Sequence, residues 1–351
     1  MKILYAIQGT GNGHLSRAKD VIPALKKRAQ VDLVVSGIHA EVNLPYKIKY
    51  RYKGFGFIFG KKGSIDLSAT YKANKIRRFY KEIISCPVEN YDLVINDFEP
   101  VSAWAARLKG IPCFSLSHQS ALHSDKVPKP RHNDWLGLFI LKFYAPANKS
   151  YSFHFKKYDD QIYTPVIRRE IRSQRIYEGK HITVYLPAYE DKRIIDVLKQ
   201  INHVQFEVFS KHSKKSYEAG NVKIKQINAQ EFSRSMAGSK GVFCGAGFET
   251  PAEALFMGKK LLVIPMRRQY EQHFNAESLH ETGVPVIPRL SSKYIENIRQ
   301  WIEYPQNIKV DFPDETQRII DELIYDYNNI IAIESHKSMF NLFPKLEFIY
   351  A

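Results

Sequence analysis

The sequence contains little cysteine and no long apolar run. Cys86, Cys113 and Cys244 are its only cysteines, and three scattered residues with apolar neighbours fit neither a disulfide framework nor a zinc site. They favour a reducing compartment. No run of about 18 apolar residues occurs, so no membrane-spanning helix is predicted. The apolar segment Met1–Ile7 is too short for a signal peptide and leads directly into a glycine loop, so we expect a cytoplasmic protein.

Acidic residues are scarce relative to basic ones. Lys and Arg together number 52 against 36 for Asp and Glu, and the formal net charge is +16. This balance favours an anionic partner, namely a membrane surface, a nucleic acid or a polyanionic substrate, although general solubility is an alternative explanation. At 351 residues and 44% apolar content, the chain is long enough for two globular domains of about 150 residues.

Two common nucleotide-binding motifs are missing. The segment Lys2–Ile7 predicts a buried strand, and the glycine-rich loop Gly9–His14 follows it, before a helix predicted from about Ser16 to Arg28. The loop spacing is G-x-G-x-G instead of G-x-G-x-x-G, and the second strand ends in Ser36 without the acidic residue that would bind a ribose. No glycine loop ends in Lys-Ser or Lys-Thr, so neither NAD nor ATP binding is favoured.

A stretch in the second half has the features of a phosphate site. Gly241–Cys244 predicts a short strand, Gly245-Ala246-Gly247 a turn of small residues, and Glu249–Met257 a helix with Pro251 in its first turn. A helix N-terminus behind a glycine turn offers unpaired N–H groups and a partial positive charge, which suit a phosphate. Glu253 lies about one helical turn further on, where a carboxylate can accept two hydrogen bonds from a ribose diol.

This stretch resembles the nucleotide-sugar signature of GT-B glycosyltransferases, especially the UDP-glycosyltransferases and family 28, which includes the enzyme that makes lipid II. Gly247–Glu253 matches the family's spacing from glycine to glutamate, and Glu271–Ala276 matches its [DE]-Q-x-x-N-A motif. One position departs from the pattern. Gly245 stands where many relatives carry His or Arg as a diphosphate ligand, so the phosphate would rely on backbone amides or on a cation from elsewhere. An ordinary βαβ unit with a capping turn is the alternative.

The resemblance implies an α/β GT-B fold with two doubly wound Rossmann-like domains facing a central cleft. We expect an acceptor-side domain at residues 1–165, a nucleotide-sugar domain at 166–318, and a helical segment at 319–351 that crosses back to the first domain. The family pattern assigns phosphate, ribose, base and sugar contacts to the second domain. The donor-binding residues so implied are Gly245, Ala246, Gly247, Phe248, Glu249, Thr250, Glu253, Glu271, Gln272, Asn228 and Ala229. Separately, the charged, proline-containing segment Tyr163–Glu170 predicts a domain linker, from which Arg168 or, alternatively, Arg169 reaches the diphosphate across the cleft.

The first loop, G-T-G-N-G-H-L-S-R-A, resembles the acceptor-side loop of the same family, particularly in a group of uncharacterised archaeal and bacterial relatives. His14 is the candidate general base, because a histidine with a near-neutral pKa can take a proton from an acceptor hydroxyl. Asp97 ends a predicted strand and is the candidate partner that orients the ring. Alternatively, His14 only packs at the helix start and Asp97 only caps the next helix. Further acceptor-side candidates are Gly11, Asn12, Gly13, Glu99 and His118.

Two segments point towards a membrane. Residues 46–83 interleave Lys and Arg with aromatic side chains, which suits anionic lipid headgroups but also single-stranded nucleic acid or a solvated strand and loop. Trp135–Ala145 is strongly apolar and predicts either an interfacial helix or, more commonly, a core helix. We expect peripheral contact with the inner face of the plasma membrane and no nucleic-acid partner.

The sequence therefore predicts an inverting glycosyltransferase that moves a sugar from a nucleotide-diphosphate donor, UDP-linked, to a hydroxyl of a lipid or cell-envelope glycan. No D-x-D motif lies near the donor segment, so we expect no metal and no cofactor apart from the UDP-sugar as co-substrate. Two rivals remain open. One is a nucleotide-sugar 2-epimerase, and the other is a non-catalytic protein that binds a nucleotide sugar, a nucleic acid or a membrane.

Overall fold

The computed structural model of this protein contains two α/β units, each built on a largely parallel sheet. The described residues are 1–10, 12–37, 44–56, 75–130, 135–267, 269–306 and 308–342. Gly11 and residues 57–74 lie outside them, so the acceptor-side role of Gly11 and the middle of the basic segment 46–83 are not addressed by the structure.

The first sheet is parallel throughout its described strands. These strands are β1 (Lys2–Gln8), β2 (Gln30–Ser36), β3 (Tyr50–Tyr52), β4 (Leu93–Asp97), β5 (Cys113–Ser117), β6 (Lys149–Phe153) and β7 (Ile162–Tyr163). Their spatial order is β3-β2-β1-β4-β5-β6-β7. The order reverses beside β1, and the crevice between the carboxyl ends of β1 and β4 is therefore the place where a doubly wound sheet binds its ligand.

Helices cover both faces of this sheet, which explains why its strands are almost continuously buried. They are α1 (Asn12–Lys26), α2 (Ile76–Ser85), α3 (Pro100–Lys109) and α4 (Trp135–Phe143). Helix α1 begins earlier than the predicted Ser16, because the chain turns into the helix directly after the glycine loop. This early start places His14 inside the first turn of α1.

The second sheet has the same plan. Its described strands are β8 (His181–Tyr185), β9 (Gln205–Ser210), β10 (Tyr217–Ala219), β11 (Val222–Gln226), β12 (Gly241–Gly245) and β13 (Lys260–Ile264). The order is β10-β11-β9-β8-β12-β13, and β10 pairs antiparallel with β11 while the others are parallel. The order reverses between β8 and β12, so the glycine turn after β12 lies at the second ligand-binding crevice.

The helices of the second unit include the one predicted behind the glycine turn. They are α5 (Arg169–Arg172), α6 (Asp191–Leu198), α7 (Ala229–Ala237), α8 (Glu249–Phe256), α9 (Tyr270–Glu281), α10 (Ile295–Glu303) and α11 (Thr316–Leu342). Helix α8 ends one residue before the predicted Met257, which forms its C-cap. Gly258 follows in the left-handed conformation (φ +65°), which a glycine adopts without strain.

The last helix returns to the first unit. Arg28, two residues after the end of α1, donates to Asp321 of α11 over 2.7 Å, and Asp326 accepts hydrogen bonds from Lys149 and Tyr151 of β6. The first sheet ends at Tyr163 and the second begins at His181, so residues 164–180 connect the two sheets. Helix α11 therefore ties the chain's final described segment to the sheet with which the chain starts.

Two features of composition can be placed in the fold. Cys86, Cys113 and Cys244 are buried and carry free thiols. Across the described ranges, no helix combines the length and the apolar character needed to cross a bilayer.

Candidate active site

A histidine and an aspartate meet at the crevice of the first sheet. His14 Nδ1 lies 2.8 Å from Asp97 Oδ1, which is the contact expected from the sequence. Asp97 ends β4 and is fully buried, whereas the His14 side chain keeps 13% of its surface exposed. When the ring donates its Nδ1 proton to the carboxylate, Nε2 carries the lone pair that a general base needs.

Arg17 completes this cluster, and sequence reasoning missed it. Its Nη2 donates to both carboxylate oxygens of Asp97, over 2.7 and 2.9 Å. Its Nη1 donates to Glu249 Oε1, over 2.5 Å. Only 1% of the Arg17 side chain is exposed. The spacing carried a signal, because Arg17 lies one helical turn after His14 and so occupies the same face of α1.

The charges around the pair shift both of its pKa values. Burial alone would lower the pKa of His14, but the Asp97 carboxylate outweighs it, so the pKa lies above the usual value for histidine. Burial alone would raise the pKa of Asp97, but Arg17 and then His14 hold it below the usual value. The aspartate is therefore ionised, and the imidazolium that forms during proton uptake is stabilised.

Gln119 connects His14 with the second unit. Its Nε2 lies 3.3 Å from His14 Nε2 and 3.3 Å from Glu271 Oε2. An amide that donates one proton to each of these atoms fits a neutral His14 whose Nε2 accepts. Gln119 follows the candidate His118 directly in the sequence but is not among the predicted site residues. In the structure it occupies the position beside Nε2 that an acceptor hydroxyl must reach.

The two units also touch at His118. Its Nε2 lies 3.0 Å from Glu271 Oε1, and its ring stacks on Phe248 with 4.4 Å between centroids. His118 belongs to the first unit, whereas Phe248 and Glu271 belong to the second. The acceptor-side candidate His118 and the donor-side candidates Phe248 and Glu271 therefore meet where the two units touch, and Gln119 links Glu271 to His14.

A second space opens over the other sheet. A cavity of about 970 Å³ lies at the carboxyl ends of β8, β12 and β13, where the strand order reverses. Four of the predicted donor-binding residues line it, and so do two exposed arginines. These residues are Gly245, Gly247, Thr250, Gln272, Arg267 and Arg289.

Two predicted donor ligands are engaged with each other. Glu253 was expected to bind a ribose and Arg168 to reach the diphosphate. In the structure Arg168 Nε and Nη2 donate to the two Glu253 oxygens, over 2.5 and 2.8 Å. Glu253 is only 3% exposed, and neither residue lines the cavity. Each group therefore satisfies the other inside the fold, and the ribose role of Glu253 and the diphosphate role of Arg168 stay predictions.

Two further candidates cap helices in their own units, and a third lies away from the cavity. Glu99 is fully buried and caps α3 by accepting from the Val101 and Ser102 amides, so it is not an acceptor ligand. It is also the residue that caps this helix, in place of Asp97. Asn228 caps α7 with its side chain, and neither Asn228 nor Ala229 lines the cavity.

The remaining candidates are held at close contacts. The Ala246 amide donates to the Ile264 carbonyl over 3.0 Å, so it is not available to a phosphate. Gln272 Oε1 accepts from the Met266 amide over 2.9 Å. Asn12 begins α1, and at Gly13 an added Cβ would lie 2.5 Å from Glu249 Oε2. Gly13 therefore permits the close approach of the two units.

Comparison with known proteins identifies the family. The family model described as glycosyl transferase family 1 matches residues 1–302. The chain belongs to this family. It is therefore a glycosyltransferase, and no curated protein sequence matches it at a significant level.

Solved structures give the fold of this glycosyltransferase. MurG of Acinetobacter baumannii is 15% identical, with a TM-score of 0.52, and the match covers 92% of this chain and 99% of that one. The glycosyltransferase LpCGTa, solved with UDP, is 11% identical, with a TM-score of 0.57, and the match covers 93% of this chain and 99% of that one. UGT2 of Phytolacca americana is 13% identical, with a TM-score of 0.54 over 92% and 93%. The expected GT-B fold with two Rossmann-like units is confirmed.

Proposed function

We propose that this glycosyltransferase transfers a sugar from a UDP-sugar to a hydroxyl acceptor with inversion at the anomeric carbon. The observation that carries the proposal is the Asp97–His14 pair, 2.8 Å apart. The pair lies close to the start of α8, because Arg17, which binds Asp97, also contacts Glu249, the first residue of that helix. Two similarly folded proteins support the donor class, since UGT2 was solved with UDP-2fluoro-glucose and LpCGTa with UDP.

The proposed reaction needs one base and one site for the leaving group. His14 Nε2 takes the proton of the acceptor O–H as that oxygen forms a bond to the anomeric carbon. The bond from the anomeric carbon to the diphosphate oxygen breaks, and UDP leaves with the electron pair. Asp97 stabilises the imidazolium, which passes its proton to solvent before the next turnover.

The glycine turn would hold the diphosphate. The first amides of a helix have no partner within the helix, and those of Phe248, Glu249 and Thr250 stand at the start of α8 behind Gly247. Gly245 lacks the cationic side chain of many relatives. Arg267 and Arg289 line the same cavity, and among the described residues neither has a carboxylate partner, so they are the proposed replacement.

No metal is needed for this proposed chemistry, because amides and guanidinium groups can stabilise the developing diphosphate charge. Within the described residues, no three His, Cys, Asp or Glu side chains are grouped as a metal site. Metal independence remains part of the proposal and is tested by turnover in the presence of EDTA.

We further propose that the acceptor is lipid-linked and is met at an anionic membrane surface. Helix α2 exposes Ile76, Tyr80 and Ile84 about one turn apart, and α4 exposes Phe139 and Phe143. Both helices belong to the acceptor-side unit, and α2 also carries Arg and Lys residues. Apolar and basic side chains on one helix suit the headgroup region of a bilayer.

Sedimentation with vesicles tests this surface. We expect more binding to vesicles with phosphatidylglycerol than to phosphatidylcholine vesicles, and weaker binding of Tyr80→Ser. Tyr304→Ser is the matched control, because Tyr304 is as exposed as Tyr80 but lies in the second unit. Equal binding of wild type and Tyr80→Ser would remove the membrane from the proposal, and stronger binding to single-stranded RNA would replace it.

The His14→Ala variant tests the transferase itself. UDP release from UDP-glucose and UDP-N-acetylglucosamine is measured with a solubilised lipid extract as acceptor, and UDP affinity is measured by thermal shift alongside GDP and dTDP. We expect turnover to fall at least about 100-fold with unchanged UDP affinity. His203→Ala is the control, because this exposed histidine lies in the second unit. A variant with full turnover would refute His14 as the base, and sugar isomerisation without transfer would favour the 2-epimerase.

A further inference from the structure

The most deeply buried cation of the cleft is Arg17. It comes from α1 in the first unit, and its guanidinium lies 5.6 Å from the centre of the Phe153 ring. It contacts Asp97 through Nη2 and Glu249 through Nη1. Its third nitrogen, Nε, is buried without a hydrogen-bond partner in the described structure. A burial this complete is unusual for a charged side chain unless it is paired on several sides.

The two carboxylates on Arg17 belong to different parts of the proposed reaction. Asp97 holds the ring of His14, whereas Glu249 is the first residue of α8 directly after the glycine turn. Gly13 leaves room for this second contact, since a Cβ there would lie 2.5 Å from Glu249 Oε2. One guanidinium thus connects the base to the segment that would hold the donor.

The charges near His14 pull its proton affinity in opposite directions. Arg17 Nη2 lies 3.2 Å from His14 Nδ1, and its positive charge disfavours the imidazolium. Asp97 and Glu249 favour the imidazolium. Other titratable groups also face the cluster. These are Tyr5 on β1, whose hydroxyl is buried near Arg17, and Glu271 on α9, which contacts Gln119.

We propose that Arg17 is a positioning residue that joins the His14–Asp97 pair to Glu249 of the donor turn, so that the contact between the two units sets the proton affinity of the base. The proposal rests on the proposed role of His14. Arg17 does not touch substrate in it. When the units are in contact, Glu249 shares the guanidinium with Asp97; when they separate, Arg17 acts on Asp97 and His14 alone and the imidazole becomes easier to deprotonate.

Titration of His14 by NMR tests this coupling without requiring turnover. The full chain is labelled with ¹³C at histidine Cε1, and the His14 signal is identified by its loss in His14→Ala. In Arg17→Gln a positive charge is removed, so we expect the His14 titration midpoint to rise by about one pH unit. In Glu249→Gln a negative charge is removed and Arg17 is freed, so we expect a fall of similar size.

The control is Glu170→Gln. Glu170 is an acid of the second unit whose side chain is 60% exposed and which contacts Arg168 instead of Arg17. Its removal should leave the His14 midpoint within about 0.2 pH unit, because a solvated charge outside the cluster is screened. Loss of the same formal charge is thereby separated from loss of the specific contact.

The His14 midpoint should therefore move up in Arg17→Gln and down in Glu249→Gln. A purely structural role of Arg17 would not predict shifts of opposite sign in the two variants. An unchanged midpoint in folded Glu249→Gln, or equal shifts in both variants, would overturn the proposal. If Arg17→Gln does not fold, Glu249→Gln remains decisive, because it removes the same contact from the other side. If the two variants shift the His14 midpoint as expected but His14→Ala keeps full turnover, His14 is not the base. The coupling between the two units is then still supported.

Discussion

Replacement of Asp97 by asparagine is the most informative single change. Asn keeps the shape of the side chain and one acceptor oxygen, but it removes the charge that binds both His14 and Arg17. A general base contributes about 10²–10⁴-fold to a rate. Loss of its oriented partner forfeits most of that gain, so we expect turnover of Asp97→Asn to fall roughly 10²–10³-fold, or about 3–4 kcal/mol in the barrier.

The same change should destabilise the fold by a separate amount. Removing one partner of a buried ion pair costs about 3–5 kcal/mol. We expect about 2–3 kcal/mol, because Asn still accepts one hydrogen bond and Glu249 still pairs with Arg17. Urea unfolding measures this loss, and UDP affinity should change less than about twofold, since Asp97 does not line the cavity of the second unit.

The pH dependence of stability gives the sign of each contribution. Asp97 has a lowered pKa, so its stabilisation is present above the unfolded value of about 3.9 and is lost as pH falls through the folded value. His14 has a raised pKa, so its stabilisation is present below about 6.5 and is lost as pH rises through the folded value. Asp97→Asn should remove both of these pH-dependent contributions to the free energy of unfolding. Turnover and pH profile like those of the wild type would refute the pairing argument.

Four further outcomes follow from the geometry. Arg267→Ala and Arg289→Ala should each weaken UDP binding about 5–20-fold in calorimetry, with a smaller loss at high salt, because both are exposed cations in the cavity; a salt-independent loss would contradict the electrostatic role. Glu253→Gln should cost about 2–4 kcal/mol in urea unfolding, since the buried Arg168 loses the negative charge and one of the two acceptor oxygens of its partner. An unchanged midpoint would contradict a stabilising role of this ion pair. Glu99→Ala should cost about 2–3 kcal/mol by the same measurement, because it removes the cap of α3 and the carboxylate that accepts from the Ser36 hydroxyl. Full stability would contradict a stabilising role of this cap. Turnover should be the same with EDTA as without it, and loss restored by a divalent cation would contradict metal independence.

Local sequence patterns were sufficient for the parts of the fold that depend on neighbours along the chain. Short apolar runs predicted buried parallel strands, and Gly245 to Gly247 predicted the turn before α8. The carboxyl ends of parallel strands share one edge of a sheet, so the loop after β1 and the end of β4 had to lie close together. That reasoning was enough to anticipate the 2.8 Å contact between His14 and Asp97.

Partners across the cleft could not be anticipated in the same way. Arg17 and Glu249 are separated by 232 residues, and Gln119 and Glu271 by 152. Their contacts depend on how the two sheets face each other, which no local periodicity encodes. Arg17 stood in the quoted first loop as one basic residue among many, and only its helical spacing from His14 distinguished it.

For the carboxylates, the sequence leaves out the partners that the fold supplies. A sequence gives the spacing of Glu253 and Glu99 behind a strand but not the cation or the amides that lie beside them. Inside the fold these carboxylates already have partners, namely Arg168 for Glu253 and the α3 amides for Glu99. The residues that keep a role at the cleft are those with an atom still open to it. Arg267 with its exposed guanidinium meets that condition, and His14 Nε2 meets it once an acceptor hydroxyl takes the place of the Gln119 amide, which is why the proposed chemistry is assigned to them.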